Sequence, residues 1–351
     1  MNLPKRALGS SGMEITTVGL GTWAIGGGDW AFAWGPQDDA ESLATIRHAI
    51  ELGINWIDTA AVYGLGHSEE VVGQFLHELS PGERPLVFTK CGLVWDAKDR
   101  MGEAKRVLKP ESIRTECEAS LRRLGVERID LYQFHWPDES GARVEDSWAM
   151  MSQLVSEGKV RAAGVSNFDP KLMERCEAIR HVDSLQPPFS LINRAAAKDE
   201  IPWCARHKTG VICYSPMQSG ILTDTFSAER VAKMPEDDWR RRSVQFQQPN
   251  LKNNLELRDA LGPIAKRQGV SISAVAVAWT LAWPGVTGAI VGARKPEQVD
   301  AWVAAANVQL SAKDLEEIAR AVERTGAGAG PVQPSSAGLH NEGNAPRQAK
   351  A

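Results

Sequence analysis

The chain is poor in cysteine, and the few it has form no pattern. Cys91, Cys117, Cys176, Cys204 and Cys213 are odd in number and scattered, with no CxxC pair and no histidine at ligand spacing. That distribution argues against a disulfide framework and against a zinc-type site, so the thiols are expected to be reduced and no metal is expected. Cys91, beside Lys90, reads as a buried structural thiol rather than a nucleophile. Long apolar runs are also lacking: none is long enough to cross a bilayer, and Met1 to Gly9 carries no apolar leader segment. A cytoplasmic protein with no membrane partner is the expectation. Charge of one sign is lacking too, since 40 basic and 44 acidic residues leave a net charge of -4 without long blocks. Arg240 to Arg242 is a short cluster that reads as a solvated face, and a nucleic-acid partner is not expected.

What the chain does have is length and rhythm. Its 351 residues, 43% hydrophobic and 24% charged, are enough for a large core. Arg6 to Thr16 reads as a hairpin around a Gly-rich turn, and Val18-Gly19-Leu20-Gly21 as a first buried strand. Apolar strand-like runs then alternate with amphipathic helices. Strands are predicted to end at Asp58, Lys90 and His135, and further strands at Val160 to Val165, Asp183 to Gln186, Val211 to Ser215 and Val286 to Val291. Helices are predicted from Asp38, Ser68 and Pro110, then at Asp146 to Glu157, Pro170 to Ile179, Ile201 to Lys208 and Leu255 to Gln268. More helices continue to Trp283 and open at Pro296, and a last one spans Ser311 to Arg324. Eight alternations with right-handed crossovers predict an α/β fold, a (β/α)8 TIM barrel with an N-terminal β-hairpin and an extra C-terminal helix. Residues 1–325 are expected to form one domain, and the Gly-, Pro- and Ser-rich stretch 326–351 a disordered tail. The polar connection 223–254, with Trp239 and Arg240 to Arg242, is long enough to fold over a site.

Active sites of such barrels lie at the C-terminal ends of the strands. Asp58, Lys90 and His135 therefore share one rim, with Tyr63 in the loop after Asp58. The chemistry suggested is a phenol whose pKa is lowered by a neighbouring ammonium, itself balanced by a carboxylate. Such a group donates a proton as charge builds on a carbonyl oxygen, and an imidazole at the same rim orients that oxygen.

The sequence resembles the aldo-keto reductase superfamily over about residues 6 to 324. The likeness is carried by Gly19-Leu20-Gly21-Thr22-Trp23, Asp58-Thr59-Ala60 with Tyr63-Gly64, Thr89-Lys90, Asp130 to Pro137, Gly164-Val165-Ser166-Asn167-Phe168 and Tyr214-Ser215-Pro216. It implies NADPH-dependent reduction of an aldehyde or ketone, with Asp58, Tyr63, Lys90 and His135 as the catalytic residues and Tyr63 as the general acid. For the cofactor, NADP, the resemblance implies that Ser166, Asn167 and Gln186 hold the carboxamide and that Tyr214 stacks under the nicotinamide. Ser215, Met217, Ser219 and Gly220 would cover the pyrophosphate. Gly21, Thr22, Trp23, Gly292 and Gln298 are assigned to the cofactor as well. Arg294 and Lys295, at a helix N-terminus, would favour the 2′-phosphate of NADP. Where the family commonly has Glu and Asn facing the adenine, this chain has Ala301 and Trp302, and Trp302 either stacks on the adenine or packs against a helix. Trp23, Trp34, Trp95 and Trp136 are candidates for the substrate pocket. Alternatives are an alcohol or sugar dehydrogenase running in reverse and a cofactor-sensing subunit like the channel-associated relatives. The presence of His135 and Trp136 favours the enzyme. No feature specifies the substrate or the oligomeric state.

Overall fold

The computed structural model describes residues 2–334 apart from residue 237. Two strands, β1 (Lys5–Ala7) and β2 (Glu14–Thr16), form the antiparallel N-terminal hairpin. The strands that follow are β3 (Val18–Gly21), β4 (Trp56–Asp58), β5 (Leu86–Cys91), β6 (Leu93–Val94), β7 (Lys105–Arg106), β8 (Ile129–Phe134), β9 (Val160–Ser166), β10 (Ser184–Gln186), β11 (Gly210–Cys213) and β12 (Gly288–Gly292). All but β6 and β7 close into a parallel barrel in the order β3-β4-β5-β8-β9-β10-β11-β12. The pair β6–β7 is a second small hairpin beyond the rim, which the sequence did not suggest.

Around the barrel run α1 (Asp39–Glu51), α2 (His67–His77), α3 (Pro110–Leu124), α4 (Val144–Ser156), α5 (Pro170–Glu177) and α6 (Glu200–His207). Then come α7 (Ala228–Ala232), α8 (Asn250–Ala260), α9 (Gly262–Gln268), α10 (Ile272–Ala282), α11 (Pro296–Val303) and α12 (Ala312–Thr325). Local signals set the ends of these helices. Asp38, Asp169, Ser271 and Ser311 accept first-turn amide hydrogens, and Gly125 and Gly326 stop α3 and α12 in the left-handed conformation. The single helix expected over Leu255 to Gln268 is two, because Pro263 follows Gly262 and removes an amide from the ladder.

The barrel is filled from below. Leu8, Met13 and Ile15 of the hairpin pack into one cluster with Trp56, Phe88, Leu131, Ala162, Ile212 and Ile290, all buried. The Trp56 indole donates to the Thr16 carbonyl at 2.8 Å, which ties the hairpin to the barrel floor. Gly19 makes room for that ring: a Cβ there would lie 2.1 Å from it. With the lower end plugged by apolar side chains, the polar residues of the strands' upper halves face each other under an open rim.

The C-terminal stretch departs from expectation at its start. Ala327 is buried and Ala329 bridges to Asn193. The Arg194 guanidinium donates to the carbonyls of Ala327 and Gly330, and Ala329 exchanges backbone hydrogen bonds with Arg194 and Ile192, partners that composition does not reveal. The rest of the expected tail, 335–351, lies outside the described residues. Among the described residues no helix is long and apolar enough to cross a membrane, and no group of three or more His, Cys, Asp or Glu is arranged to hold a metal ion.

Candidate active site

Asp58 ends β4, and its neighbour strand β5 carries Lys90 one residue before the end, since β5 continues to Cys91. His135 lies one residue beyond β8 rather than at its end, and its amide donates to the Cys91 carbonyl. The Lys90 ammonium donates to Asp58 Oδ1 at 2.6 Å and to the Thr59 carbonyl at 2.8 Å. Both side chains of this pair are almost wholly buried, 0% exposed for Lys90 and 3% for Asp58. The second Asp58 oxygen accepts from Gln186 Nε2 at 2.8 Å.

Tyr63 stands above this pair. Its ring centroid is 5.2 Å from Lys90 Nζ and 5.7 Å from the His135 ring, which meets it edge-on at 79°. Both rings are half-buried at the rim. Tyr63 sits in a tight turn, Tyr63–Gly66, in which Gly64, Leu65 and Gly66 are left-handed. Gly64 packs back to back with Gly26: a Cβ on Gly64 would lie 2.0 Å from the Gly26 carbonyl oxygen.

Burial shapes the charges. Desolvation raises Asp58 and lowers Lys90, while each partner opposes the shift of the other through the ion pair. Burial, and then the Asp58 charge, hold Tyr63 well above the ordinary phenol range. This reverses the expected direction. The Lys90 charge is matched by Asp58 at 2.6 Å, so the pair offers the phenolate too little net positive charge to offset desolvation. Burial and then Lys90 push His135 well below its usual range, so it is a neutral imidazole. Cys91 is buried, and its thiol is pushed well up, first by burial. Nothing about it fits a nucleophile.

The residues expected at the cofactor lie along the next rim segments. Ser166 donates to the Gln186 carbonyl at 2.8 Å. Asn167, left-handed at φ 60°, joins two other site residues: its Nδ2 donates to the His135 carbonyl at 2.9 Å and its Oδ1 accepts from the Tyr214 hydroxyl at 2.8 Å. The Tyr214 ring is thereby fixed, half-buried, against the barrel's inner cluster. The segment after it is left-handed at Ser215, Gln218, Ser219 and Gly220, with Met217 half-buried among them. Strained backbone of this kind gathers at ligand clamps, and here the Gln218 and Gly220 amides donate to the Ser215 and Met217 carbonyls. Gly21 and Thr22 are buried, Gly292 is exposed beside Gly21, and Gln298 accepts from the Arg294 amide at 2.7 Å. A ring held at the rim by Asn167, the Gln186 side chain below it and a strained segment beside it are compatible with a bound nicotinamide dinucleotide.

This geometry has relatives. The Aldo/keto reductase family profile matches residues 17–323. The chain belongs to the aldo/keto reductase family. Aldo-keto reductase YhdN of Bacillus subtilis is 36% identical over 320 residues, 91% of this chain and 93% of that one. The NADH-specific methylglyoxal reductase of Escherichia coli is 36% identical over 334 residues, 92% and 100%. Among solved structures, the glycerol dehydrogenase AKR11B4 of Gluconobacter oxydans superposes with a TM-score of 0.83 at 37% identity, covering 94% of this chain and 98% of that one. The chain is thus an oxidoreductase of the aldo/keto reductase family, whose members use nicotinamide cofactors.

Other expected residues are placed differently. Arg294 turns its guanidinium to Gln37 Oε1 at 2.7 Å and to the Trp34 carbonyl at 3.0 Å, with Pro36 as a further partner. Lys295 pairs with Glu41 at 3.2 Å. Trp302 is buried in the core, which decides between its two readings in favour of packing. Trp23 stacks on Tyr63 at 6.1 Å and Trp95 joins the same apolar cluster, whereas Trp136 lies under the Arg106 guanidinium at 4.4 Å. Trp34 meets Trp23 edge-on at 5.4 Å. Two further residues take their place in the structure. Trp239 stacks on Trp23 at 5.2 Å and meets Trp34 at 5.5 Å, so the long connection does cover the aromatic wall. Gln133, fully buried beside Lys90 in register, accepts from Gln186 at 3.4 Å and leaves its Nε2 without a partner. Both signals were present in the sequence, one as a tryptophan in a polar segment and the other as a polar residue in an apolar strand.

Proposed function

We propose that this protein reduces an aldehyde or ketone to an alcohol with NADPH, and that Tyr63 is the proton donor. The observation that carries the reading is the buried Asp58–Lys90 pair set beneath the Tyr63 ring, with His135 edge-on to it. Ser166, Asn167, Gln186 and Tyr214 would hold the nicotinamide, which would supply a hydride for the carbonyl carbon. His135, neutral, has one N–H to donate to the carbonyl oxygen and does not compete as an acid. As negative charge builds on that oxygen, the Tyr63 hydroxyl transfers its proton. The phenolate left behind faces the Lys90 ammonium until solvent returns the proton. Held above its usual range, the phenol is protonated at working pH and available as the donor.

Arg294 and Lys295 support NADPH over NADH. Their present partners are neutral acceptors and one exposed carboxylate, weak competitors for a 2′-phosphate. A second reading, NADH use, is favoured by the engagement of Arg294 with the 34–37 segment and by the NADH-specific relative. Direct titration with both nucleotides decides between them, and an NADPH preference that Arg294→Ala leaves unchanged argues against its phosphate contact. Residues 1–325 form a single domain on this reading, and five buried free thiols suit a reducing compartment such as the cytoplasm.

The direct test is Tyr63→Phe. Turnover of a good aldehyde should fall by about 10²- to 10⁴-fold while NADPH still binds, as followed by nucleotide fluorescence. Near-normal turnover overturns the role of Tyr63.

A further inference from the structure

The turn that carries Tyr63 has three consecutive left-handed residues, one of them Leu65, and such a backbone persists only where its surroundings hold it. It runs directly into α2, and the first turn of that helix is plugged into the barrel by two side chains. Ser68 Oγ lies 3.0 Å from Thr59 Oγ1 and 2.8 Å from Thr22 Oγ1, and it is 3.1 Å from the Thr22 carbonyl. Glu69, with no exposed surface, accepts from Thr89 Oγ1 at 2.5 Å through one oxygen and from Arg123 Nε of α3 at 2.7 Å through the other. The three threonines are also buried. Each is a direct chain neighbour of a site residue: Thr22 of Trp23, Thr59 of Asp58 and Thr89 of Lys90.

The side chains of Thr89 and Lys90 point to opposite faces of β5, because successive residues of a strand alternate. The outer face therefore meets Glu69 while the inner face presents the ammonium. A buried carboxylate is unfavourable unless paired, and a neutral residue would hold the helix at lower desolvation cost. The arrangement is thus more specific than packing requires. We propose that Glu69, through Thr89, and Ser68, through Thr59 and Thr22, are positioning residues that set the placement of Tyr63 over the Lys90–Asp58 pair. The clamp rests on the reading of Tyr63 as proton donor, and it assigns the Thr-Ser-Glu network a role in kcat. The buried Glu69 charge also favours the protonated form of Lys90.

The test is steady-state kinetics with NADPH on Thr89→Val, Thr89→Ser and Glu69→Gln, with nucleotide binding and thermal melting measured alongside. Valine keeps the shape of threonine and removes the hydroxyl. Thr89→Val should lower kcat roughly tenfold, with KM and nucleotide affinity within about twofold of the parent, since misplacement of reacting groups acts on turnover. Thr89→Ser should restore kcat. In Glu69→Gln the alkaline limb of the kcat profile should move to lower pH, because Lys90 loses a charge that favours its ammonium form. Parent kcat in Thr89→Val, absence of rescue by serine, or a parallel loss of nucleotide affinity each overturns the proposal. If Glu69→Gln does not fold, the valine and serine pair decides alone. Tyr63→Phe separates the two readings. If it is inactive and Thr89→Val is normal, the clamp fails while the proton donor stands; if Tyr63→Phe is active, the proton donor itself fails.

Discussion

Asp58→Asn isolates what the buried ion pair contributes. The substitution keeps the size of the side chain and an acceptor for Gln186, but it removes the carboxylate that pairs with Lys90. Burial already lowers Lys90, and Asp58 is the main force opposing it. Removing one partner of a buried pair costs about 3–5 kcal/mol, because the other is left desolvated and uncompensated. At about 2.1 cal/mol/K of unfolding entropy per residue, a chain of this size shifts by roughly 1.4 °C per kcal/mol, so the melting temperature should fall by about 4–7 °C. Asp58→Asn/Lys90→Met removes both members of the pair, and replacement of a buried pair by uncharged groups is often neutral. The double variant should therefore recover at least half of the loss, although both variants should be inactive. The pH dependence carries a sign. In the single variant Lys90 sheds its proton in the folded state at a lower pH than in the unfolded chain. The unfolded state then binds more protons, and stability rises with pH through the alkaline range relative to the parent. Urea unfolding at several pH values measures all of this. A single variant within about 1 kcal/mol of the parent, or a double variant as unstable as the single, would refute the reasoning.

Two further outcomes follow from groups outside the catalytic pair. Glu116 accepts from the Gly92 amide at 2.8 Å and faces Ser112, Arg123 and Glu69; burial first of all pushes it up to about 7 from an ordinary 4.5. Its stabilising contribution is complete below the unfolded value and is lost as pH rises through 7. The difference amounts to at most about 3 kcal/mol at about 1.36 kcal/mol per unit. Glu116→Gln should flatten the stability profile between pH 5 and 8, and an unchanged slope in urea titrations would count against the buried carboxyl. Trp239→Ala removes the stack over Trp23, a contact of about 0.5–1.5 kcal/mol beyond its buried area. KM for the carbonyl substrate should rise by several-fold with little change in kcat, and an unchanged KM would show that Trp239 does not wall the pocket.

Periodicity made the barrel readable, because buried parallel strands are short apolar runs and their crossover helices keep one apolar stripe. The same alternation brought Asp58, Lys90 and His135 to one rim. The detail that escaped depends on contacts distant in sequence. The strands β6 and β7 are two residues each, too short to carry a period. The order in residues 326–330 comes from Arg194 and Ile192, more than a hundred residues away, which no local composition can report. The direction of the Tyr63 shift turns on how much water the rim excludes, a property of the folded packing. Arg294 was legible as a cation at a helix start, but its engagement with the Trp34 and Pro36 carbonyls was not.

The back-to-back contact of Gly26 and Gly64 has a consequence for remodelling the pocket. A Cβ on Gly26 would lie 2.7 Å from the Gly64 amide nitrogen, and one on Gly64 would strike the Gly26 carbonyl oxygen, so the two backbones are in direct register. Trp23 opens the short helical turn that Gly26 closes, and Tyr63 opens the turn that holds Gly64. The turn of Trp23 and the turn of Tyr63 are therefore mechanically one part. A library that reshapes the Trp23 loop to admit a bulkier substrate also displaces Tyr63, whereas Trp34 and Trp239 meet Trp23 through their rings and leave the glycine contact intact.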